Sequence, residues 1–279
     1  MQVVLLSGVS GSGKSVALKA LEDAHFFCVD NLPADLIAPL VESAQSRGEQ
    51  KVAISADARS PDTLGELPAI VGQLGKRGHD VRVIFLDSSD ESLVRRFSET
   101  RRPHPLAREG QTLAEAIAQE RGLLAWLAEI GDRIDTSVLL PAQLRQWVQD
   151  LVVTDRSRLV LTFETFGYKA GVPLDADYVF DARCVLPNPH YDPQLRALTG
   201  HDAPVKEYLE RETQANLFVE DIQRFLQRWL PRFLLDQRAS ITVAIGCTGG
   251  RHRSVYIAEQ LAERFASEHE VVVRHRDLK

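Results

Sequence analysis

Residues 8–15 read Gly-Val-Ser-Gly-Ser-Gly-Lys-Ser, and this stretch decides the fold of the first half of the chain. An apolar run, Val3 to Leu6, precedes it, and an amphipathic stretch from Ser15 to Ala24 follows it. The pattern Gly-x-x-x-x-Gly-Lys-Ser in a strand–loop–helix context is typical of a phosphate-binding loop. We therefore expect a nucleotide site formed by Gly8, Val9, Ser10, Gly11, Ser12, Gly13, Lys14 and Ser15.

The residue types of this loop suit triphosphate chemistry. Glycines let successive backbone N–H groups turn inward, and the helix that follows presents its positive end to the phosphates. Lys14 would contact the β and γ phosphates, and the Ser15 hydroxyl would ligate Mg²⁺, so these two are the predicted catalytic residues. Asp30 and Asp87 are the two candidates for an acidic residue that holds the magnesium ion, because each follows an apolar run. The sequence does not distinguish between them, and either could instead only cap a helix.

Composition limits the classes of protein to consider. The chain has 279 residues, 44% of them hydrophobic and 26% charged, which is typical of a globular protein with one large or two ordinary domains. A net charge of −6 argues against nucleic-acid binding by the whole surface. Cys28, Cys184 and Cys247 lie too far apart for a cysteine-rich zinc site. Without a signal peptide or an apolar run of ~20 residues, we expect a cytoplasmic protein with no membrane partner.

Strand-like and helix-like segments alternate along residues 1–154. Buried apolar strands that alternate with helices predict a doubly wound parallel sheet, whose ligands lie beyond the carboxyl ends of the strands. A polar stretch, Thr154 to Arg158, predicts a boundary between domains 1–154 and 155–279. The second, smaller α/β domain is expected to have strands over 159–163, 178–180, 241–245 and 270–273, and helices over 205–230 and 255–266.

A basic cluster follows the strand that ends at Asp87. It comprises Arg95, Arg96, Arg101, Arg102, His104 and Arg108. One interpretation is a solvated helix end. The other is an arginine lid over a transferring phosphate, as in kinases of small metabolites, and this is the main rival hypothesis for function.

A second strand, glycine-rich turn and helix start occurs near the end of the chain. A site for an anion is expected there, formed by Cys247, Thr248, Gly249, Gly250, Arg251, His252, Arg253 and Ser254. The spacing Cys-x₅-Arg-Ser also matches the loop of protein tyrosine phosphatases, in which Cys247 would be the nucleophile. A simple tight turn is the third possibility. The basic tail from Arg274 to Lys279 is expected to be solvated and to contribute little nucleic-acid affinity alone.

Taken together, both halves of the chain resemble the RapZ family of nucleotide-binding proteins, also described as RNase adapter proteins. The resemblance rests on residues 8–15, Val29-Asp-Asn-Leu-Pro33, Asp57-Ala-Arg-Ser60, residues 163–173, Leu186-Pro-Asn-Pro-His190 and residues 246–254.

This resemblance implies a kinase-like N-terminal domain that binds ATP and GTP with Mg²⁺ and hydrolyses them weakly. A second nucleotide motif would fall on Asp57, Ala58, Arg59 and Ser60. The C-terminal domain would bind RNA and sense a phosphorylated amino sugar. The pocket for the sugar would involve His190, Thr248, Gly249 and Arg253. The family further implies a homo-oligomer that presents a small regulatory RNA to an endoribonuclease. The basic tail is shorter here than in enteric members, which counts against the RNA-adapter role more than against the nucleotide or metabolite sites.

Overall fold

The computed structural model describes residues 1–57, 65–100, 102–153, 159–235 and 240–278, without the side chains of 234 and 235. The chain divides into two compact units, Met1–Val152 and Val153–Lys279. Each unit has its own sheet and its own core. The stretch 154–158, where the sequence predicts the domain boundary, lies outside the described residues.

The described residues of the N-terminal unit form a sheet of five parallel strands in the order β2-β3-β1-β4-β5. The strands are β1 (Gln2–Gly8), β2 (Phe27–Val29), β3 (Lys51–Ser55), β4 (Asp80–Asp87) and β5 (Asp132–Asp135). The helices are α1 (Lys14–Asp23), α2 (Ile37–Ser46), α3 (Leu67–Lys76), α4 (Asp90–Thr100), α5 (Leu113–Ile130) and α6 (Pro141–Val153). The strand that carries the glycine-rich loop therefore lies at the centre of the sheet.

Both faces of this sheet are covered, because successive strand residues point to opposite sides. Val3 and Leu5 face a core that includes residues of α2, α3 and α5. Val4 and Leu6 face the other core, to which α1 and α6 contribute residues such as Ala17 and Trp147. Apolar burial on both faces explains why the strands are continuous hydrophobic runs.

In the part of the C-terminal unit that the structure describes, a second parallel sheet has four strands in the order β7-β8-β6-β9. Its strands are β6 (Val160–Gly167), β7 (Tyr178–Asp181), β8 (Ser240–Cys247) and β9 (Glu270–His275), and its helices are α7 (Ala203–Glu210), α8 (Thr213–Leu235) and α9 (Arg253–Phe265). The predicted fold class, a doubly wound parallel sheet followed by a smaller α/β unit, is confirmed. Among the helices that are described, none is both long enough and apolar enough to cross a membrane.

The single helix predicted over 205–230 is wrong. The chain forms two helices, α7 and α8, which are separated at residues 211–212. Buried positions explain the break: Leu209 is followed by Ala215 six residues later, whereas the spacing within each helix is three or four. One continuous helix would turn one of these apolar faces away from the core.

The basic tail is also not the solvated end that the sequence predicts. The side chains of Arg274 and Arg276 are each only 3% exposed. Arg276 donates to the carbonyl oxygen of Gly171, and its guanidinium lies 5.5 Å from the centre of the Phe166 ring. The described part of the tail is therefore packed into the C-terminal unit.

Candidate functional site

The glycine-rich loop leaves the carboxyl end of the central strand β1 at Gly8 and enters α1 at Lys14. Gly8, Gly11 and Gly13 have φ values of 145°, 85° and 106°. Residues other than glycine rarely adopt positive φ values, because their Cβ atom clashes with the backbone. At Gly8 space is limiting too, since an added Cβ would lie 2.2 Å from the carbonyl oxygen of Leu86 on β4. The glycine at position 8 is thus required by the tight packing of the loop against β4.

Several groups of the loop are held by the protein itself. The Lys14 ammonium donates to the carbonyl oxygens of Gly8 (2.7 Å) and Val9 (3.3 Å). The N–H of Ser12 donates to Val9 O at 3.1 Å. The N–H groups of Gly11 and Gly13 have no acceptor among the described residues. Ser15 is exposed at the mouth of the loop. The loop therefore retains backbone donors for an anion and an accessible hydroxyl for a metal ion.

A buried carboxylate that the sequence analysis missed anchors the loop. Glu120 of α5 accepts from the N–H of Ser10 (2.7 Å) and from its hydroxyl (2.8 Å), and it contacts His104 Nε2 at 3.0 Å. Glu120 is 1% exposed and His104 is 4% exposed. A signal was present, because Glu120 falls at helical spacing between the buried Ile117 and Leu124.

A cavity of about 700 Å³ opens beside the loop. Its lining combines loop residues with part of the basic cluster: Ser10, Gly11, Gly13, Lys14, Ser15, Val16, Arg96, Phe97, Glu99, Thr100, Arg102, Pro103 and Pro105. Arg96 also donates to Gly11 O at 2.9 Å. Burial, with a smaller effect of Arg95, lowers the pKa of Arg96, and Asp135 and Glu99 offset part of this.

Only part of the basic cluster has the position that a lid requires. Arg96 and Arg102 line the cavity, whereas Arg95 and Arg108 are not among its lining residues. His104 is buried against Glu120 rather than facing the cavity. Arg101 lies outside the described residues. Among the described residues of the basic cluster, Arg96 and Arg102 are therefore the two that line the cavity.

The two candidate magnesium aspartates differ in their surroundings. The Asp87 carboxylate is 2% exposed and binds Arg121 and Arg133, the latter at 2.6 Å. Asp30 is exposed and accepts a hydrogen bond from Ser55 Oγ. Asp87 is thus engaged in ion pairs, and Asp30 remains accessible.

The second predicted nucleotide motif begins at Asp57, which lies just beyond the carboxyl end of β3. Asp57 is 4% exposed. Because β3 pairs directly with β1, this carboxyl group lies at the same edge of the sheet as the glycine-rich loop. Ala58, Arg59 and Ser60 lie outside the described residues.

In the C-terminal unit, β8 ends at Cys247 and α9 begins at Arg253. The Cys247 sulfur lies 3.2 Å from Ser254 Oγ and accepts from the backbone N–H groups of Ser254, His252 and Gly249. Burial raises the pKa of Cys247, but these hydrogen bonds outweigh it, so the pKa lies below its ordinary value. Cys247 as a residue is 3% exposed. An attacking thiolate requires access that this position lacks.

Arg253 joins the loop to the proline-rich segment 181–192. Its guanidinium donates to the carbonyl oxygens of Arg183 (2.7 Å) and Leu186 (3.1 Å) and to Thr248 Oγ1 (3.0 Å). It is 4% exposed. The arrangement brings Thr248 into contact with Arg253, as a shared anion site requires.

The remaining predicted residues of this site surround the same loop. His190 is exposed, and burial, together with the charges of Arg251 and His190, lowers the pKa of the neighbouring His252. An added Cβ at Gly249 would contact nothing within 4 Å, so there is open space above this residue. Arg251 is exposed at the rim. These positions leave room for a small anionic ligand.

Asp277 contacts this loop, and the sequence did not indicate that contact. Its Oδ2 accepts from the N–H of Gly167 at 2.7 Å. Gly250 has a φ of 69°, and an added Cβ there would lie 2.6 Å from the same oxygen. Asp277 therefore lies against both Gly167 at the end of β6 and Gly250 of the loop.

Comparison with known proteins covers both units. Residues 1–156 match the RapZ-like N-terminal domain, and residues 159–279 match the RapZ C-terminal domain. A curated protein of Thiobacillus denitrificans is 55% identical over 278 residues, with all of both chains covered. One of Chromobacterium violaceum is 52% identical, with 100% of this chain and 99% of the relative covered. Both relatives are named nucleotide-binding protein.

Similar solved structures include two kinases. The shikimate kinase of Bacteroides thetaiotaomicron has a TM-score of 0.38 and 17% identity, covering 55% of this chain and 98% of the kinase. A sugar kinase of Janibacter sp. HTCC2649 has a TM-score of 0.36 and 19% identity, covering 55% and 95%. Likeness of this extent says nothing about reaction or substrate.

Proposed function

The chain belongs to the RapZ family, and we propose that it is a nucleotide-binding regulator whose C-terminal unit binds RNA and a phosphorylated amino sugar. The observation that carries the nucleotide part is the glycine-rich loop at the end of the central strand, open to a cavity of about 700 Å³. Such a loop combines backbone donors, a helix N-terminus and a lysine, which together suit a triphosphate.

The nucleotide would be ATP or GTP, accompanied by Mg²⁺. The exposed hydroxyl of Ser15 and the exposed carboxylate of Asp30 are hard oxygen ligands of the kind that Mg²⁺ prefers. The ion would neutralise charge on the phosphates. Lys14 would exchange its hydrogen bonds to Gly8 and Val9 for the β and γ phosphates, with weak hydrolysis as the outcome. The motif that begins at Asp57 is proposed to contribute to GTP binding.

Substitution of Lys14 tests this site. Lys14→Ala should lower the affinity for ATP and GTP at least tenfold, measured by calorimetric titration of the full chain. Lys19→Ala removes an equal charge from an exposed position on the same helix and is the matched control. Equal affinities for the wild type and Lys14→Ala would refute the assignment.

The C-terminal loop is proposed to hold the phosphate of an amino sugar. Supporting this are the contact between Thr248 and Arg253, the exposed His190 and the open space above Gly249. Glucosamine 6-phosphate should bind the full chain more tightly than glucosamine, and Thr248→Ala should weaken this binding. Ser267→Ala, at an exposed position beyond α9, is the control. Equal binding of the two sugars would contradict a phosphate site.

RNA would bind the exposed face of α8, because Arg274 and Arg276 of the tail are buried. Arg224, Arg228 and Arg232 are exposed and recur every fourth residue, so they lie on one face of the helix. Each contact with a phosphate adds to an affinity that falls as salt rises. Homo-oligomerisation would combine several such faces on one small regulatory RNA, which the assembly would present to an endoribonuclease.

A triple Arg→Gln variant at these three positions should bind RNA more weakly and with a shallower salt dependence. Removing three exposed charges from the other unit, at Lys19, Lys76 and Arg145, provides the control. RNA retention that is the same in both triple variants would rule out this face.

A small-metabolite kinase is the second candidate, favoured by the position of Arg96 and Arg102 over the cavity. Incubation with ATP and pooled metabolites should then yield a phosphorylated acceptor in amounts that match the ADP formed. Slow ADP release with no phosphorylated acceptor would support the regulator instead.

A further inference from the structure

Three potential metal ligands meet in the C-terminal unit, and none of them is a residue of either glycine-rich loop. His275 Nε2 lies 2.9 Å from Glu259 Oε1, and His201 Nδ1 lies 3.8 Å from the same oxygen. The three ligand atoms all lie within 4.8 Å of one another, and the imidazole rings of His201 and His275 are 4.7 Å apart. Neither histidine belongs to the nucleotide, RNA or sugar-phosphate sites proposed above.

The backbone holds these side chains in place from three different elements. Glu259 is in the middle of α9, His275 is the last residue of β9, and His201 is in the turn before α7. That turn is pressed against the start of α9: Gly200 N–H donates to Arg251 O at 2.8 Å, and an added Cβ at Gly200 would lie 2.6 Å from Tyr256 N. The position of His201 relative to α9 is therefore set by packing.

A buried hydroxyl orients His275. Thr165 Oγ1 lies 3.0 Å from His275 Nδ1, and Thr165 is 0% exposed. When Nδ1–H donates to this hydroxyl, the lone pair of Nε2 points toward Glu259. Histidine ligands of metals characteristically use their second nitrogen in such a hydrogen bond.

We propose that His201, Glu259 and His275 form a binding site for a divalent transition-metal ion, Zn²⁺ in the first instance. Two imidazoles and one carboxylate suit zinc, whereas Mg²⁺ and Ca²⁺ prefer oxygen ligands throughout. Tetrahedral zinc with bonds of about 2.0–2.1 Å places its ligands roughly 3.4 Å apart. The separations of 2.9 and 3.8 Å lie on either side of this distance. The ion would fasten the turn at His201 to α9 and β9.

The ion would have a path from solvent. The exposed fraction of the side chain is 45% for His201, 26% for Glu259 and 16% for His275, so the site opens on the His201 side. Three protein ligands leave at least one coordination position for water or another ligand.

The experiment uses the full chain with Cys28→Ser and Cys184→Ser, which removes the two less buried thiols. Zn²⁺ binding is measured by calorimetry, and Co²⁺ is used as a spectroscopic probe. We expect one ion per chain and a cobalt spectrum of nitrogen and oxygen ligation without thiolate charge transfer. Zn²⁺ should also raise the melting temperature of the protein.

Three single variants, His201→Gln, Glu259→Gln and His275→Gln, should each lower Zn²⁺ affinity at least tenfold and abolish the shift in melting temperature. His269→Gln, in the same unit but outside the cluster, should bind as the parent does. His201→Gln alters only a partly exposed turn, so it keeps the test decisive if the other two variants fold poorly. Failure of the parent to bind Zn²⁺, or unchanged affinity in His201→Gln, would overturn the proposal.

Discussion

The most direct test of how the nucleotide loop is held concerns Glu120. Its carboxylate accepts from both polar groups of Ser10 and contacts His104, and all of this lies in the protein interior. Replacing Glu120 by alanine leaves these buried groups without their partner. Each unsatisfied buried donor costs about 1–3 kcal/mol, and the N–H and hydroxyl of Ser10 are two such donors.

We therefore expect Glu120→Ala to lower the free energy of unfolding by about 2–6 kcal/mol, the cost of leaving both donors of Ser10 unsatisfied. Glu120→Gln retains the shape and one oxygen acceptor, so a loss of about 1–3 kcal/mol follows. The same Gln variant should lower ATP affinity about tenfold, equivalent to ~1.4 kcal/mol, because Ser10 is no longer anchored from two sides. Ser10 and Glu120 are 110 positions apart in the sequence, so the substitution reaches the loop through their contact in the fold.

The assays are urea denaturation of the full chain, followed by tryptophan fluorescence, and calorimetric titration with ATP. Glu129→Gln changes an exposed carboxylate near the end of the same helix and should leave both quantities unchanged. If Glu120→Gln and Glu120→Ala both stay within about 0.5 kcal/mol of the wild type in unfolding free energy, with ATP affinity unaltered, Glu120 does not anchor the loop.

Three further predictions rest on other contacts. Gly8→Ala should destabilise the N-terminal unit by about 3 kcal/mol, measured by denaturation, because its φ is 145° and its Cβ would overlap Leu86; a fully stable variant would contradict this geometry. Ser254→Ala should raise the pKa of Cys247, since it removes a hydrogen bond that lowers it, and the ultraviolet absorbance of the thiolate, followed during a pH titration in a Cys28→Ser, Cys184→Ser background, should appear at higher pH. The folded state favours the Cys247 thiolate, so the thiolate adds to the free energy of unfolding at pH values above the pKa of the unfolded state. This contribution is lost as the pH falls through the pKa of the folded state. At alkaline pH the variant should therefore have a smaller contribution than the wild type. Thr112→Ala removes the side chain that caps α5 and should lower unfolding free energy by about 1 kcal/mol; no change in the denaturation midpoint would argue against the cap.

The sequence was sufficient for the parts of this protein that local pattern determines. Continuous apolar runs predicted the parallel strands, because burial on both faces of a sheet requires them. The order of residues 8–15 predicted a loop between a strand and a helix, because few other structures accommodate three closely spaced glycines before a lysine. These features depend on neighbours along the chain, which the sequence displays directly.

Features that depend on distant residues could not be predicted in the same way. Glu120 lies 110 positions from Ser10, and Asp277 lies 110 positions from Gly167. Arg276 looks like any exposed basic residue near a chain end, yet its guanidinium is buried against Gly171 and Phe166. The break at residues 211–212 likewise follows from the shape of the core that both helices share, not from a strong helix breaker.

The presence of a separate core in each unit has a consequence for any measurement of heat or denaturant resistance. Two cooperative bodies joined in one polypeptide need not melt together, so a single transition midpoint can hide two different values. A molecule that occupies only one of them shifts only the corresponding transition. Calorimetric traces with and without ATP, glucosamine 6-phosphate or zinc would then identify which body each of them occupies.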